Sequence, residues 1–274
     1  MTKTRKFAIP ALVLALVLVF LLANGSVFAS ARDATWTTSV TYQNVGTDAA
    51  TLMVTFYEEN DPTPITFDPL GGGTLGAGAA RSFWIGNVSN VPSGFRGNAV
   101  MSADQPLVST AVQFSQDPGF KMRLLYNGFQ TSDASSQYLV ATTLLRKFDR
   151  TTVFSIQNTE NEAVDATVKF YDADNNGNLA ATITHAIPAN SSKFVEMDNP
   201  ADTGLPGTTT IFHGSAIVTA VKQAGGDAMI VAAANEYYTN SNVAASFEGV
   251  PLSRTANTVY VATGVCEQFG LDTF

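Results

Sequence analysis

Cysteine, histidine and positive charge are all scarce in this chain. Among its 274 residues there is one Cys, Cys266, and there are two His, His185 and His213. A single Cys forms no intrachain disulfide and no Cys-based zinc site. Two His leave little for metal binding or acid–base chemistry. Charged residues make up only 14%, and 15 basic residues stand against 23 acidic ones, for a formal net charge of −8. An acidic chain without a basic stripe lacks the electrostatic footprint of a nucleic-acid binder. What is plentiful is apolar, at 45% of the residues, which is too much for a disordered chain.

The apolar content is unevenly spread. Lys3, Arg5 and Lys6 form a positive start, residues 7–22 form an apolar run broken only by Pro10, and Asn24-Gly25-Ser26 ends it. Ala29-Ser30-Ala31 is a small-residue cleavage site, so the order is that of a secretory signal peptide, with a mature chain beginning near Arg32. A run of 16 residues is short for a membrane span of about 20, so cleavage is the better reading than an uncleaved anchor. No Cys follows the run, which argues against a lipid anchor. The membrane is then met only through the signal segment before cleavage. Without residues 1–31 the balance is 12 basic against 23 acidic residues, or −11, which favours solubility.

The mature chain repeats itself. Val40-Thr41-Tyr42-Gln43-Asn44 resembles Phe154-Ser155-Ile156-Gln157-Asn158, and Val54-Thr55-Phe56-Tyr57 resembles Val168-Lys169-Phe170-Tyr171, both at an offset of 114. Phe95-Arg96-Gly97-Asn98-Ala99-Val100 matches Phe212-His213-Gly214-Ser215-Ala216-Ile217 at 117. Tyr126-Asn127-Gly128-Phe129 matches Phe247-Glu248-Gly249-Val250, and Leu139-Val140-Ala141-Thr142 matches Tyr260-Val261-Ala262-Thr263, at 121. Five matches in one order indicate a duplication with loop insertions in the second copy.

Each copy reads as strands. Leu52, Val54 and Phe56 alternate with other residues, as do Ala166, Val168 and Phe170, which is the period of a half-buried strand. Turn signals are dense, among them Asn60-Asp61-Pro62, Gly71-Gly72-Gly73, Asn175-Asn176-Gly177 and Gly225-Gly226-Asp227. No amphipathic helix of ten or more residues stands out. The expectation is an all-β protein of two tandem immunoglobulin-like antiparallel β-sandwich domains after an N-terminal signal peptide. Its divisions are 1–31 for the signal, 32–137 for repeat 1 and 138–256 for repeat 2. Residues 257–274 are either the start of a third repeat or a terminal strand of repeat 2. The counterpart of residues 139–152 is residues 260–273, and no counterpart precedes the first copy, where the signal peptide lies.

Motifs that could carry chemistry have plainer readings. Gly71-Gly72-Gly73-Thr74-Leu75-Gly76 satisfies a dinucleotide fingerprint, but a strand-like Ser82-Phe83-Trp84-Ile85 follows where a helix is needed. Asp172, Asp174 and Asn176 resemble the start of a calcium loop, but Ile183 stands where a bidentate Glu is required, and a hairpin explains Asn176-Gly177. Neither His lies in a hydrolase or metalloprotease context. Trp36, Trp84, Tyr237 and Tyr238 are weak candidates for a stacking platform, since aromatic faces bind sugars. Adjacent Tyr237 and Tyr238 in one strand point to opposite faces. Gly97 and Gly214, each two residues after a Phe, suggest a bulge or close aromatic packing. Asn44 and Asn158 end strands at turns. Cys266 is a small hydrophobe or an intermolecular thiol. No cofactor is expected.

The blocks Ile156-Gln157-Asn158, Phe170-Tyr171-Asp172, Phe212-His213-Gly214-Ser215-Ala216-Ile217 and Ser102-Ala103-Asp104-Gln105-Pro106-Leu107 resemble those of secreted bacterial cell-surface proteins with tandem immunoglobulin-like β-sandwich repeats. The resemblance implies fold and surface location and brings no catalytic residue. The expectation is therefore a noncatalytic, secreted or cell-surface protein whose modules act as spacer or adhesion units. Its partners would be surface glycans or other copies of itself. The rival expectations are a carbohydrate-binding module and a strand-exchange filament subunit.

Overall fold

The computed structural model describes residues 31–117, 122–239, 241 and 243–260. Residues 1–30, on which the expected signal peptide falls, and residues 261–274, with Cys266, lie outside these. The described chain is predominantly β, in antiparallel sheets, with no barrel. Its only α-helix among the described residues, Pro200–Thr203, is a single turn. Asn199 caps it by accepting the Ala201 N–H, and Gly204 ends it in the left-handed conformation.

The N-terminal half holds seven strands: β1 Trp36–Asn44, β2 Leu52–Glu58, β3 Ile65–Phe67, β4 Ala80–Trp84, β5 Gly97–Ala103, β6 Leu107–Ser115 and β7 Arg123–Asn127. They form one sheet in the order β4-β1-β6-β7 and another in the order β3-β2-β5. The C-terminal half holds β8 Gln137–Leu145, β9 Arg150–Asn158, β10 Val164–Asp172, β11 Asn178–Ile187, β12 Ser192–Glu196, β13 Phe212–Lys222, β14 Ile230–Tyr238, β15 Ala244–Glu248 and β16 Val250–Pro251. Its sheets run β12-β9-β14-β15 and β11-β10-β13-β8-β16. The strand orders of the halves are the same, except that β8 and β16 extend the last sheet beyond β13.

Alternation explains the packing. In β2, Leu52, Val54 and Phe56 are buried while the residues between them are not. Tyr42 of β1 joins them in the N-terminal core. In β13, every second residue from Phe212 to Ala220 is buried, facing Phe154, Ile156 and Ile230 in a larger C-terminal core. A strand with one face against a core must alternate in this way. The arrangement is compatible with β-sandwich packing.

Small details recur between the halves. A Cβ on Gly97 would lie 2.0 Å from the Tyr57 carbonyl oxygen and against the Phe95 ring, and one on Gly214 would lie 2.0 Å from that of Tyr171 and against Phe212. Only glycine fits where an aromatic ring folds back over its own strand. Phe95 meets Phe56 edge-on at 6.0 Å, and Phe212 meets Phe170 at 6.3 Å.

The glycine-rich segment forms a turn between β3 and β4. The Asp68 carboxylate accepts the N–H groups of Leu70, Gly71 and Gly72 at 2.8, 3.1 and 2.6 Å. Those bonds hold the Asp68 carboxyl below the usual range. The amides that a phosphate would need are thus already engaged by a carboxylate.

Candidate functional site

The halves differ most along one flank. In the C-terminal half, β8 lies beside β13, with Phe212↔Leu145, Ala216↔Val140, Ile217↔Leu139 and Val218↔Tyr138 as partners. Tyr138, Val140, Leu144 and Leu145 are buried there, and burying each such side chain stabilises by about 1.5–3 kcal/mol. The Tyr138 hydroxyl donates to the Asp133 carbonyl at 2.5 Å, and burial first, then the Asp133 charge, pushes it up to about 12. In the N-terminal half, β5 is an edge among the described strands.

The hydrogen-bond phase of that edge can be read directly. The Glu59 N–H donates to the Arg96 carbonyl, and the Asp104 N–H donates to the Thr51 carbonyl. With the β2–β5 register, antiparallel alternation turns the even-numbered amides of β5 toward β2. Gly97, Ala99, Met101 and Ala103 therefore turn theirs toward the open edge. The same residues carry the core face. Ala99 and Met101 are only half-buried, whereas their counterparts Ala216 and Val218 are fully buried. Ser109 and Ala111 on β6 are half-buried too, against fully buried Ala232 and Ala234.

A groove of about 2080 Å³ occupies this flank. Tyr42, Phe56, Ala99, Met101, Ala111 and Tyr126 line it from the N-terminal half, and Phe129 and Gln130 close one side. The outward face of β9 and β14, through Ser155, Gln157, Val231 and Ala233, forms the opposite wall. Small-molecule pockets measure about 300–1,000 Å³, so the space suits a polypeptide segment better than a metabolite. Among the described residues it combines edge amides turned away from β2 with walls of mixed polar and apolar side chains, a setting into which a strand can add.

Of the aromatic candidates, Trp36, Trp84 and Tyr237 border the groove. Trp36 donates from Nε1 to the Ala31 carbonyl at 2.9 Å and meets Tyr237 edge-on at 5.8 Å. Burial pushes the Tyr237 hydroxyl up, against a hydrogen bond from Asn235. Tyr238 lies on the other face of β14, with the Arg150 guanidinium 4.6 Å above its ring. Trp84 pairs with Ser39, which puts it on the outer face of its sheet. There its Nε1 donates to Thr37 Oγ1 and its ring lies 6.4 Å from Phe114.

The calcium-like segment is the β10–β11 turn. Asp172 Oδ1 accepts the Asp174 N–H at 2.9 Å, Asn176 is left-handed, and the Gly177 N–H returns to the Asp172 carbonyl. Asp174 pairs with Lys147 at 2.7 Å and with His213 at 3.1 Å, and these hydrogen bonds hold its carboxyl below the usual range. A carboxylate already paired with an ammonium group is a poor start for a cation site. His185 Nε2 lies 2.9 Å from the Asp202 carbonyl oxygen, and burial pushes this imidazole down.

Reading residues alone did not single out Ala99, Met101, Tyr126 or Phe129. The signal that could have found them is the missing counterpart of residues 139–152 ahead of the first copy. Among the described residues no helix is long and apolar enough to cross a membrane, and no group of three or more His, Cys, Asp or Glu could hold a metal ion. Comparison with protein-family models, with curated proteins and with solved structures found no match to this chain.

Proposed function

We propose that this is a noncatalytic exported protein of the cell surface or extracellular matrix, built of two tandem immunoglobulin-like sandwiches. The units, residues 32–137 and 138–256, serve as spacer and adhesion modules, and the first engages another polypeptide by accepting a strand. One observation carries this reading: among the described strands β5 is an edge, with amides turned toward a groove, where the C-terminal half has β8. The engagement of both His with neighbouring groups supports a structural role. The signal segment supports export.

The test has two parts. Material recovered outside the producing cells should begin at or near Arg32, and an intact chain confined to the cytoplasm would overturn export. In that material, hydrogen exchange at the edge-facing amides of Gly97, Ala99, Met101 and Ala103 should be slow. In the dilute mature chain made alone it should be fast. Equal, fast exchange in both would overturn strand acceptance.

A further inference from the structure

We propose that the groove along β5 is filled by residues 258–269 of a second copy of this chain, so that copies join head to tail. The proposal rests on the strand-acceptor reading and names the strand.

The first support is sequence placed on structure. Tyr260-Val261-Ala262-Thr263 repeats the Leu139-Val140-Ala141-Thr142 of β8, and Phe269 stands where Phe148 does. The offset of 121 is already set at Gly128 and Gly249. The connection from the C-terminal half to this segment is therefore as long as that from β7 to β8. The β7–β8 connection carries its strand forward into the next pair of sheets, not back into the previous one. A strand that repeats this geometry would leave its own C-terminal half, and the acceptor proposed for it is the N-terminal half of another copy.

The second support is complementarity. Transferring the β13–β8 register through the repeat pairs Phe95 with Cys266, Ala99 with Val261, Val100 with Tyr260 and Met101 with Val259. Where the C-terminal half sets a small Val218 against a large Tyr138, the proposed pair sets the longer Met101 against the smaller Val259. The exchange of sizes keeps the filled volume similar, as close packing demands. On the far side, Leu139 also pairs with Val250, and the transferred partner of Tyr260 is Phe129, which lines the groove.

The third support is exposure. Residues 258–269 carry a single charge, Glu267, which keeps the cost of desolvating them in the groove low. Their described start is uncovered on its own molecule, with Val259 77% and Tyr260 92% exposed.

The test is a register-specific disulfide in the mature chain. Val100 and Tyr260 would form a non-hydrogen-bonded antiparallel pair, with Cα atoms about 4.5 Å apart, within disulfide reach. With Cys266→Ala to remove the native thiol, Val100→Cys plus Tyr260→Cys should oxidise to a covalent ladder of dimers, trimers and longer species. Val100→Cys plus Val259→Cys puts the second thiol on the opposite face and should give at least tenfold less. Mixing the two single-cysteine chains should give mixed dimers and no ladder, which checks that each variant folds and binds. A cross-linked monomer would overturn the proposal in favour of the chain's own strand. Equal ladders from both cysteine pairs, or none from either, would also overturn it. If exchange at the Gly97, Ala99, Met101 and Ala103 amides is still slow in exported material without the ladder, another protein supplies the strand and the acceptor reading survives alone.

Discussion

Asn44 and Asn158 show how much one side chain can hold. Both are fully buried. Asn158 Nδ2 donates to the carbonyls of Glu162, Ile187 and Pro188, and its Oδ1 accepts the Glu160 N–H at 2.9 Å. Asn44 does the same with Asp48 and Leu75, and accepts from Gly46. Each ties its own turn to the far end of another connection. Removing the amide leaves several buried backbone groups without partners, at about 1–3 kcal/mol for each one that water cannot reach. Asn158→Ala should therefore lower stability by about 2–4 kcal/mol, read as a drop in the urea midpoint. An unchanged midpoint would show that water replaces the amide. An Asn ending a strand reads from sequence as a turn residue. Its reach to Ile187 and Pro188 does not, because those carbonyls come close only after the sheets have packed.

At the level of the strand, the legible and the hidden separate cleanly. Alternation marks β2 and β10, and glycine- and asparagine-rich punctuation marks the turns, because a side-chain period of two and a positive φ are local requirements. The segment at residues 139–152 could close the first copy or open the second. Pattern fixes which face of a strand is buried, not which edge it joins. The structure gives β8 to β13, and that pairing leaves β5 an edge among the described strands. The hydrogen-bond phase then predicts opposite outcomes for equivalent substitutions. Ala99→Pro removes an N–H that points to the open edge, a position where edge strands tolerate proline. It should leave the monomer's unfolding free energy, from urea titration, within about 0.5 kcal/mol of the parent and abolish head-to-tail cross-linking. Ala216→Pro removes an N–H that faces β8 and should destabilise by about 1–3 kcal/mol. Equal destabilisation by both would show that the β5 edge is already paired within the molecule.

For the whole molecule, the groove is bounded on both sides by contacts between the halves. On the β5 side, Arg96 pairs with Glu59 and with Glu196, and stacks on Phe194 at 4.6 Å. Arg32 pairs with Glu196 and Asp198, and Asn98 donates to the Asn190 carbonyl. On the β7 side, the Leu125 N–H donates to Ser246 and the Asn127 N–H to Glu248. The sheet β12-β9-β14-β15 thus covers the flank that a strand must enter, held at one margin by ion pairs. Partly exposed pairs contribute at most about 1 kcal/mol each, so they would slow insertion without preventing it. Residues 258–269 carry a single charge, Glu267, so steering of the strand itself is a small part of any salt effect. It can weaken the ion pairs, and it can also relieve repulsion between two acidic chains. A substitution separates these effects. Glu196→Gln removes one negative charge at the margin, and Asp165→Asn removes one from β10, where its partner is Gln223. If the ion pairs gate the groove, Glu196→Gln at low salt should speed cross-linking by up to about fivefold, the equivalent of about 1 kcal/mol. Asp165→Asn should leave the rate unchanged. Equal acceleration by both would mean that net charge, not the Arg96 cluster, limits assembly.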